Sequence, residues 1–171
     1  MAQGPIGGTM NETDSVFQRA VSKLLTEIFD GPPGDEAYVV NPGDPGLLRQ
    51  LETISAATSS QQHIPGKPSI AAHAHHLYFG LSVLNRWMSG EENPWANADF
   101  NESWRRISVT EVEWSALRES LRKEANTWRN AVSTRAKWDD ITSAAALSTI
   151  AHTAYHLGAI RQVLAASSSS R

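Results

Sequence analysis

Helical periodicity of the apolar residues is the feature that most restricts how this chain can fold. No segment alternates apolar and polar residues as a half-buried strand does. Instead, four long segments repeat apolar residues every three or four positions, at about 14–29, 69–90, 108–132 and 142–166. The sequence therefore predicts an all-α fold of four long helices, with one shorter helix at about 47–57.

The segments between the predicted helices include two long connections. Glycines and prolines interrupt regular structure between residues 30 and 46, and residues 91–107 are polar and irregular. Such connections are typical of a four-helix bundle with crossover loops. Three features mark helix starts: a candidate N-cap at Ser69 and overlapping candidate capping boxes at Ser108 with Glu111 and Thr110 with Glu113.

Length and composition indicate one soluble domain. The chain has 171 residues, of which 40% are hydrophobic, so we expect a single domain over residues 1–171 with its own core. The ends, 1–12 and 167–171, are predicted to be flexible because they lack periodicity. No apolar run approaches the roughly 20 residues of a membrane span, and the N-terminus lacks a signal-peptide pattern. We therefore expect a cytoplasmic protein that does not bind membranes.

Charge and cysteine content exclude several classes of function. A net charge of −3 offers no basic surface for a nucleic-acid backbone, so we expect no nucleic-acid partner. The chain contains no cysteine. Disulfides, thiolate metal ligands and a cysteine nucleophile are therefore excluded.

The last predicted helix carries an apolar stripe and, on the opposite side, a pair of histidines. The stripe predicts the core contact and consists of Leu147, Ile150, Ala154, Leu157 and Leu164. Small or apolar residues, not charges, surround the two histidines. This helix is therefore predicted to be apolar on nearly all sides and central in the fold.

The pair is His152-x-x-x-His156. Residues four apart on a helix differ by about 40° around the axis and lie one turn apart, so both imidazoles project from the same side and could share one divalent metal ion. A firmly held ion needs at least one further ligand from another element. The alternative is a pair of partly buried histidines that hydrogen-bond without a metal.

The second long helix offers the further ligand in His73-Ala74-His75-His76. On a helical wheel His73 lies about 40° from the core residue Leu77, and His76 lies about 100° away at the margin of the stripe. His75 falls on the far side and is predicted to be solvated. The pattern alone leaves both His73 and His76 open as the third ligand.

Two segments together resemble the DinB/YfiT-like superfamily: Ser69–Leu77 and Ala151–Gln162. The resemblance follows the order of the helices over most of the chain. It implies a metal-binding four-helix bundle of up-up-down-down type that is often a homodimer. It further implies metal ligation by His76, which precedes an apolar residue, together with His152 and His156. His73 fits a position that a supporting histidine often occupies.

The resemblance also implies a range of chemistry. Relatives include thiol-dependent transferases, a mycothiol-dependent isomerase and iron enzymes of ergothioneine synthesis. The expected cofactor is a divalent ion, nickel or zinc first and iron or manganese as alternatives. The expected partners are a low-molecular-weight thiol and a small electrophile. The alternatives are a metal-dependent hydrolase and a non-catalytic, metal-stapled bundle that binds a partner; no catalytic residue is assigned.

The helix-face assignment leads to a stability test. Leu157→Asp should destabilise the protein by about 4 kcal/mol or more, because it places an unpaired charge in the predicted core. Arg118→Ala, on a predicted solvated face, should change the free energy of unfolding by about 0.5 kcal/mol or less. Thermal melts of both variants measure the difference, and equal small shifts would show that the last helix is oriented differently.

Overall fold

The computed structural model describes residues 12–62 and 64–168, and the regular structure in this part of the chain is all helical, without a strand. The helices are α1 Glu12–Asp30, α2 Leu47–Glu52, α3 Ala56–Ser60, α4 Ile70–Met88, α5 Glu111–Ser133 and α6 Asp140–Ser168, with a 3₁₀ turn at Glu102–Trp104. The predicted all-α fold is confirmed. None of the helices in these residues has the length and apolarity needed to cross a membrane.

The four long helices, α1, α4, α5 and α6, form the bundle. Helices α1 and α4 each pack on both α5 and α6, so α1 and α4 occupy opposite corners. One continuous core lies between them. Its largest fully buried side chains include Trp114, Trp128, Phe29, Leu25, Ile70, Leu77, Leu121, Leu157 and Ile160.

Helices α4 and α5 run in the same direction. At their starts, the hydroxyl of Ser69 donates to the carbonyl oxygen of Ile107 at 2.6 Å. Further along both helices, the side-chain amide of Asn85 donates to the carbonyl oxygen of Glu124 at 3.0 Å. The connection over 89–110 therefore carries the chain back along the bundle before α5 begins.

The other two long helices run against this pair. The amide of Gln18, near the start of α1, donates to the carbonyl oxygen of Ser133 at the end of α5. The later histidine of α6 lies beside the earlier histidine of α4, so α6 is antiparallel to α4. The order is up-down-down-up, which differs from the up-up-down-down order implied by the resemblance. The difference follows from the long 89–110 connection, which joins parallel neighbours.

Most helix boundaries lie close to their predicted positions. Ser69 caps α4 by accepting from the backbone N–H of Ala72, and Thr110 with Glu113 forms a complete capping box on α5. Glu111, the alternative box residue, instead accepts from the backbone N–H of Ala56 at 3.1 Å.

One prediction about helix boundaries needs correction. The single helix predicted at 47–57 is two helices, because Ser55 caps α3 and starts a new helix there. The ends predicted to be flexible contribute Glu12 to α1 and Ser167 and Ser168 to α6, and their flexibility stays a prediction. The remainder of both ends lies outside the described residues.

Helix α6 is a corner helix, and the prediction that it is central was wrong. Because it packs on α1 and α4 only along one side, Leu147 is 48% exposed and Tyr155 is 69% exposed. Leu147 was expected in the core stripe. The buried side consists of Thr142, Ala146, Thr149, Ile150, Thr153, His156, Leu157, Ile160 and Val163.

A buried carboxylate holds the long loop that follows α1. One oxygen of Glu27 accepts from the backbone N–H groups of Tyr38, Val39 and Val40 at 2.8, 2.6 and 2.9 Å. Burial alone raises the pKa of Glu27, but the three N–H donors outweigh it and keep the pKa below its usual value. The loop is therefore anchored to α1, although its glycines and prolines prevent regular structure.

The far end of this loop is tied to α6. Arg161 forms an ion pair with Asp44 at 3.0 Å and donates to the carbonyl oxygen of Pro45 at 2.8 Å. Gly46 then lies so close to the end of α1 that an added Cβ would sit 2.4 Å from the nitrogen of Gly31. Only glycine fits at this close approach.

Glu27→Ala should lower the free energy of unfolding by about 3 kcal/mol or more, because it leaves three N–H groups without their acceptor. Since the folded-state pKa is lowered, the stabilisation is present above the unfolded pKa of about 4.3 and is lost as the pH falls through the folded value. Denaturant unfolding at neutral and acidic pH measures both effects.

The matched control is Glu36→Ala, because Glu36 belongs to the same loop and its side chain is 77% exposed in an ion pair with Lys23. This variant should change stability by about 0.5 kcal/mol or less. Equal losses in the two variants would contradict the assigned role of Glu27.

Candidate metal centre

Three imidazoles of α4 and α6 converge on one point. The Nε2 atom of His152 lies 2.9 Å from Nε2 of His156 and 3.3 Å from Nε2 of His76. Three ligand atoms of this set lie within 4.8 Å of one another. Nitrogens about 2.0–2.1 Å from a shared tetrahedral ion are separated by roughly 3.3 Å, so the arrangement fits a divalent ion with little adjustment.

Burial keeps these imidazoles neutral. His156 is 1% exposed and His76 is 8% exposed, whereas His152 is exposed. Burial, and then the neighbouring imidazoles, lower the pKa of His76 to about 4 and that of His156 to about 3. Partial burial also lowers the pKa of His152. At neutral pH each ring therefore has one nitrogen lone pair to offer to a cation.

His73 contacts the set through His156, at the ring nitrogen that does not face His152. It is buried, and its Nδ1 lies 2.9 Å from Nδ1 of His156. With Nε2 of His156 directed at His152, an Nδ1–H of His156 can donate to His73. The geometry therefore favours His76 over His73 as the third member of the set, an alternative that the helical wheel left open.

His75 is not solvated, contrary to the prediction. It is half-buried, and its Nδ1 donates to the carbonyl oxygen of Ser103 at 2.7 Å. The helical wheel placed it correctly on the far side from the core. However, the 89–110 connection packs on that side and supplies the carbonyl acceptor.

The same connection contributes residues to the centre that the sequence analysis missed. The hydroxyl oxygen of Ser103 lies 2.7 Å from Nδ1 of His76. The ring of Trp104 stacks on His76, with centroids 4.1 Å apart and planes 19° apart. No local sequence pattern indicates that this segment returns to α4.

A pocket of 330 Å³ adjoins the centre at His152. Its apolar lining is formed by Leu77, Leu81, Leu84, Trp95 and Phe100, and its hydroxyl groups come from Ser148, Thr149 and Thr153. Ser148 and Thr149 both donate to the carbonyl oxygen of Ala145, so their hydrogens are already used. The pocket therefore favours a small and largely apolar ligand.

A second pocket, of 490 Å³, lies against His73 and Trp104 and shares no lining residue with the first. Lys67, Tyr155 and Gln162 add polar groups to it. Arg161, on the same helix as Tyr155, lines neither pocket and is engaged with the loop before α2.

Comparison with known proteins identifies the family. The model of the DinB superfamily matches residues 45–160. The chain belongs to the DinB superfamily. No curated protein and no solved structure matches it. The DinB match includes the three converging histidines and the returning connection, while α1 precedes it.

The site leads to a test of metal content. Purified wild-type protein should carry one divalent ion per chain. His76→Ala should lose most of it on dialysis because it leaves two histidines of one helix, whereas His73→Ala should lose less because it removes only a hydrogen-bond partner. Elemental analysis of the purified variants measures occupancy. Full occupancy in His76→Ala, or a larger loss in His73→Ala, would contradict the assignment.

Proposed function

We propose that this DinB-superfamily protein is a divalent-metal-dependent enzyme that joins a low-molecular-weight thiol to a small electrophile. The observation that carries the proposal is the convergence of His76, His152 and His156 beside the 330 Å³ pocket. Three protein ligands leave a coordination position open, as catalytic sites do. Nickel or zinc is the proposed ion, because neutral imidazoles suit both.

The ion's contribution would be to lower the pKa of a coordinating thiol, so that thiolate forms near neutral pH. The chain has no cysteine, so the thiol must come from outside. His152, exposed and shared between the centre and the pocket, would place the thiol next to the electrophile. The apolar lining would exclude water and hold the two reactants close.

The proposed reaction has a simple balance. The thiol sulfur forms a bond to an electrophilic carbon. In a substitution the carbon releases its leaving group with the bonding electron pair, and the thiol proton passes to the buffer. No oxidant or reductant is needed.

The hydrolase alternative has less support. Hydrolysis by a metal centre needs a base near the attacking water. No aspartate or glutamate lines either pocket beside the histidines, within the residues that the structure describes. The pocket linings therefore fit a thiol nucleophile better, because a thiol is acidic enough to lose its proton on a metal ion without a protein base.

The non-catalytic alternative is a bundle in which the ion staples α4 to α6. The apolar side chains exposed on α6, Ile141, Leu147 and Tyr155, favour a partner surface, and a homodimer is the proposed form. Under this alternative, removal of the ion would unfold the protein, and no thiol would be consumed in any assay.

The deciding assay follows thiol consumption with 1-chloro-2,4-dinitrobenzene as the electrophile and cysteine or glutathione as the thiol. His152→Ala should abolish the metal-dependent rate. Gly80→Leu should lower kcat/KM at least about 10-fold while keeping the ion, because an added Cβ meets no atom within 4 Å and the larger side chain occupies the pocket.

Arg118→Ala, which lies outside both pockets, is the control and should react as wild type does. Equal rates in wild type and His152→Ala would refute the mechanism. If His152→Ala loses the rate but Gly80→Leu does not, the metal centre is needed for the reaction and the electrophile binds outside the 330 Å³ pocket.

A further inference from the structure

Ser103 is a buried serine in an irregular connection, and two adjacent histidines contact it. It is 0% exposed. Its carbonyl oxygen accepts from His75, and its hydroxyl oxygen lies 2.7 Å from Nδ1 of His76. Both the carbonyl group and the hydroxyl group of Ser103 therefore contact histidines of α4.

The direction of each hydrogen bond follows from counting hydrogens. A serine hydroxyl has one hydrogen, and that of Ser103 is donated to the carbonyl oxygen of Phe100 at 2.6 Å. Towards His76 the hydroxyl oxygen can then only accept. Nδ1 of His76 must carry the ring hydrogen, and Nε2 must carry the lone pair.

This lone pair faces the centre, since Nε2 of His76 is the atom that lies 3.3 Å from Nε2 of His152. Trp104, the next residue, stacks on the same ring and limits its rotation. His73 has no comparable arrangement, because its Nδ1 is engaged by His156. The connection thus prepares one histidine of α4, and not the other, to bind a cation.

We propose that Ser103 is a positioning residue of the metal centre, whose hydroxyl sets the tautomer and orientation of His76 so that its Nε2 is available to a divalent ion. The inference rests on the metal-binding part of the proposed function and is independent of thiol transfer. Groups that hydrogen-bond to ligating histidines in this way are worth about 10–100-fold in metal affinity.

The test is the zinc affinity of Ser103→Ala, measured by competition with a chromophoric chelator. We expect it to fall about 10–100-fold, with the far-ultraviolet circular dichroism of a folded bundle retained. Ser82→Ala is the matched control, since Ser82 lies on α4, the helix that carries His76, and its hydroxyl donates to the carbonyl oxygen of Phe79. Its affinity should equal that of wild type.

His75→Ala separates tethering from tautomer control. This variant loosens the contact with the Ser103 carbonyl but keeps the hydroxyl, so it should weaken zinc binding much less than Ser103→Ala. Equal losses would show that Ser103 only tethers the connection and would overturn the proposal, as would wild-type affinity in Ser103→Ala.

Proton NMR of the Co²⁺-loaded protein gives an independent signature. The Nδ1–H of His76 should appear as a shifted, slowly exchanging resonance in wild type and should be lost to solvent exchange in Ser103→Ala. An unchanged resonance in Ser103→Ala would show that this tautomer does not depend on Ser103 and would overturn the proposal. If the wild-type protein binds neither Zn²⁺ nor Co²⁺, the assignment of the metal centre and the role of Ser103 are both wrong. If it binds metal but consumes no thiol, only the proposed thiol transfer is wrong.

Discussion

The convergence of three neutral imidazoles is the constraint on which the rest of the structure depends. Ser103 obliges His76 to present a lone pair at Nε2, and His156 can do the same by donating its Nδ1–H to His73. Two acceptors then face His152, whose Nε2 could carry at most one hydrogen. Acceptors that face one another in a partly buried site are unfavourable unless a donor or a cation lies between them. A divalent ion bound between them would satisfy all three rings at once.

The topology and the centre depend on each other. Because α4 and α5 are parallel neighbours, the chain must return along the bundle between them, and it does so through residues 89–110. The returning segment packs Ser103 and Trp104 against α4, where both contact His76. A short antiparallel turn between the same helices would leave His75 and His76 without these contacts. The crossover connection is therefore part of the site as well as a link between helices.

Local sequence patterns were sufficient to predict the positions of the helices. They were insufficient to predict which side chains contact one another between distant segments. Apolar period and capping chemistry located the long helices and the cap at Ser69, because both act within a few residues of the chain. Glu27, His75 and Ser103 were misread or missed because their partners are distant in sequence or belong to irregular backbone. The choice between His73 and His76 likewise depends on contacts with another helix and with the connection. The family resemblance implied the three histidines that converge in the structure, whereas periodicity alone left both His73 and His76 open.

The corner position of α6, which contradicted the expectation of a central helix, is what makes the centre accessible. A helix surrounded on all sides would bury His152 as completely as His156, and the open position of a bound ion would face packed side chains. At a corner, one side of α6 packs on α1 and α4, while His152 remains exposed and lines the apolar pocket. The exposed fraction of Leu147 and Tyr155 results from the same geometry. An i,i+4 pair at the edge of a buried face can hold an ion from one side and admit a ligand from the other, which is the arrangement that the proposed reaction of a small thiol would require.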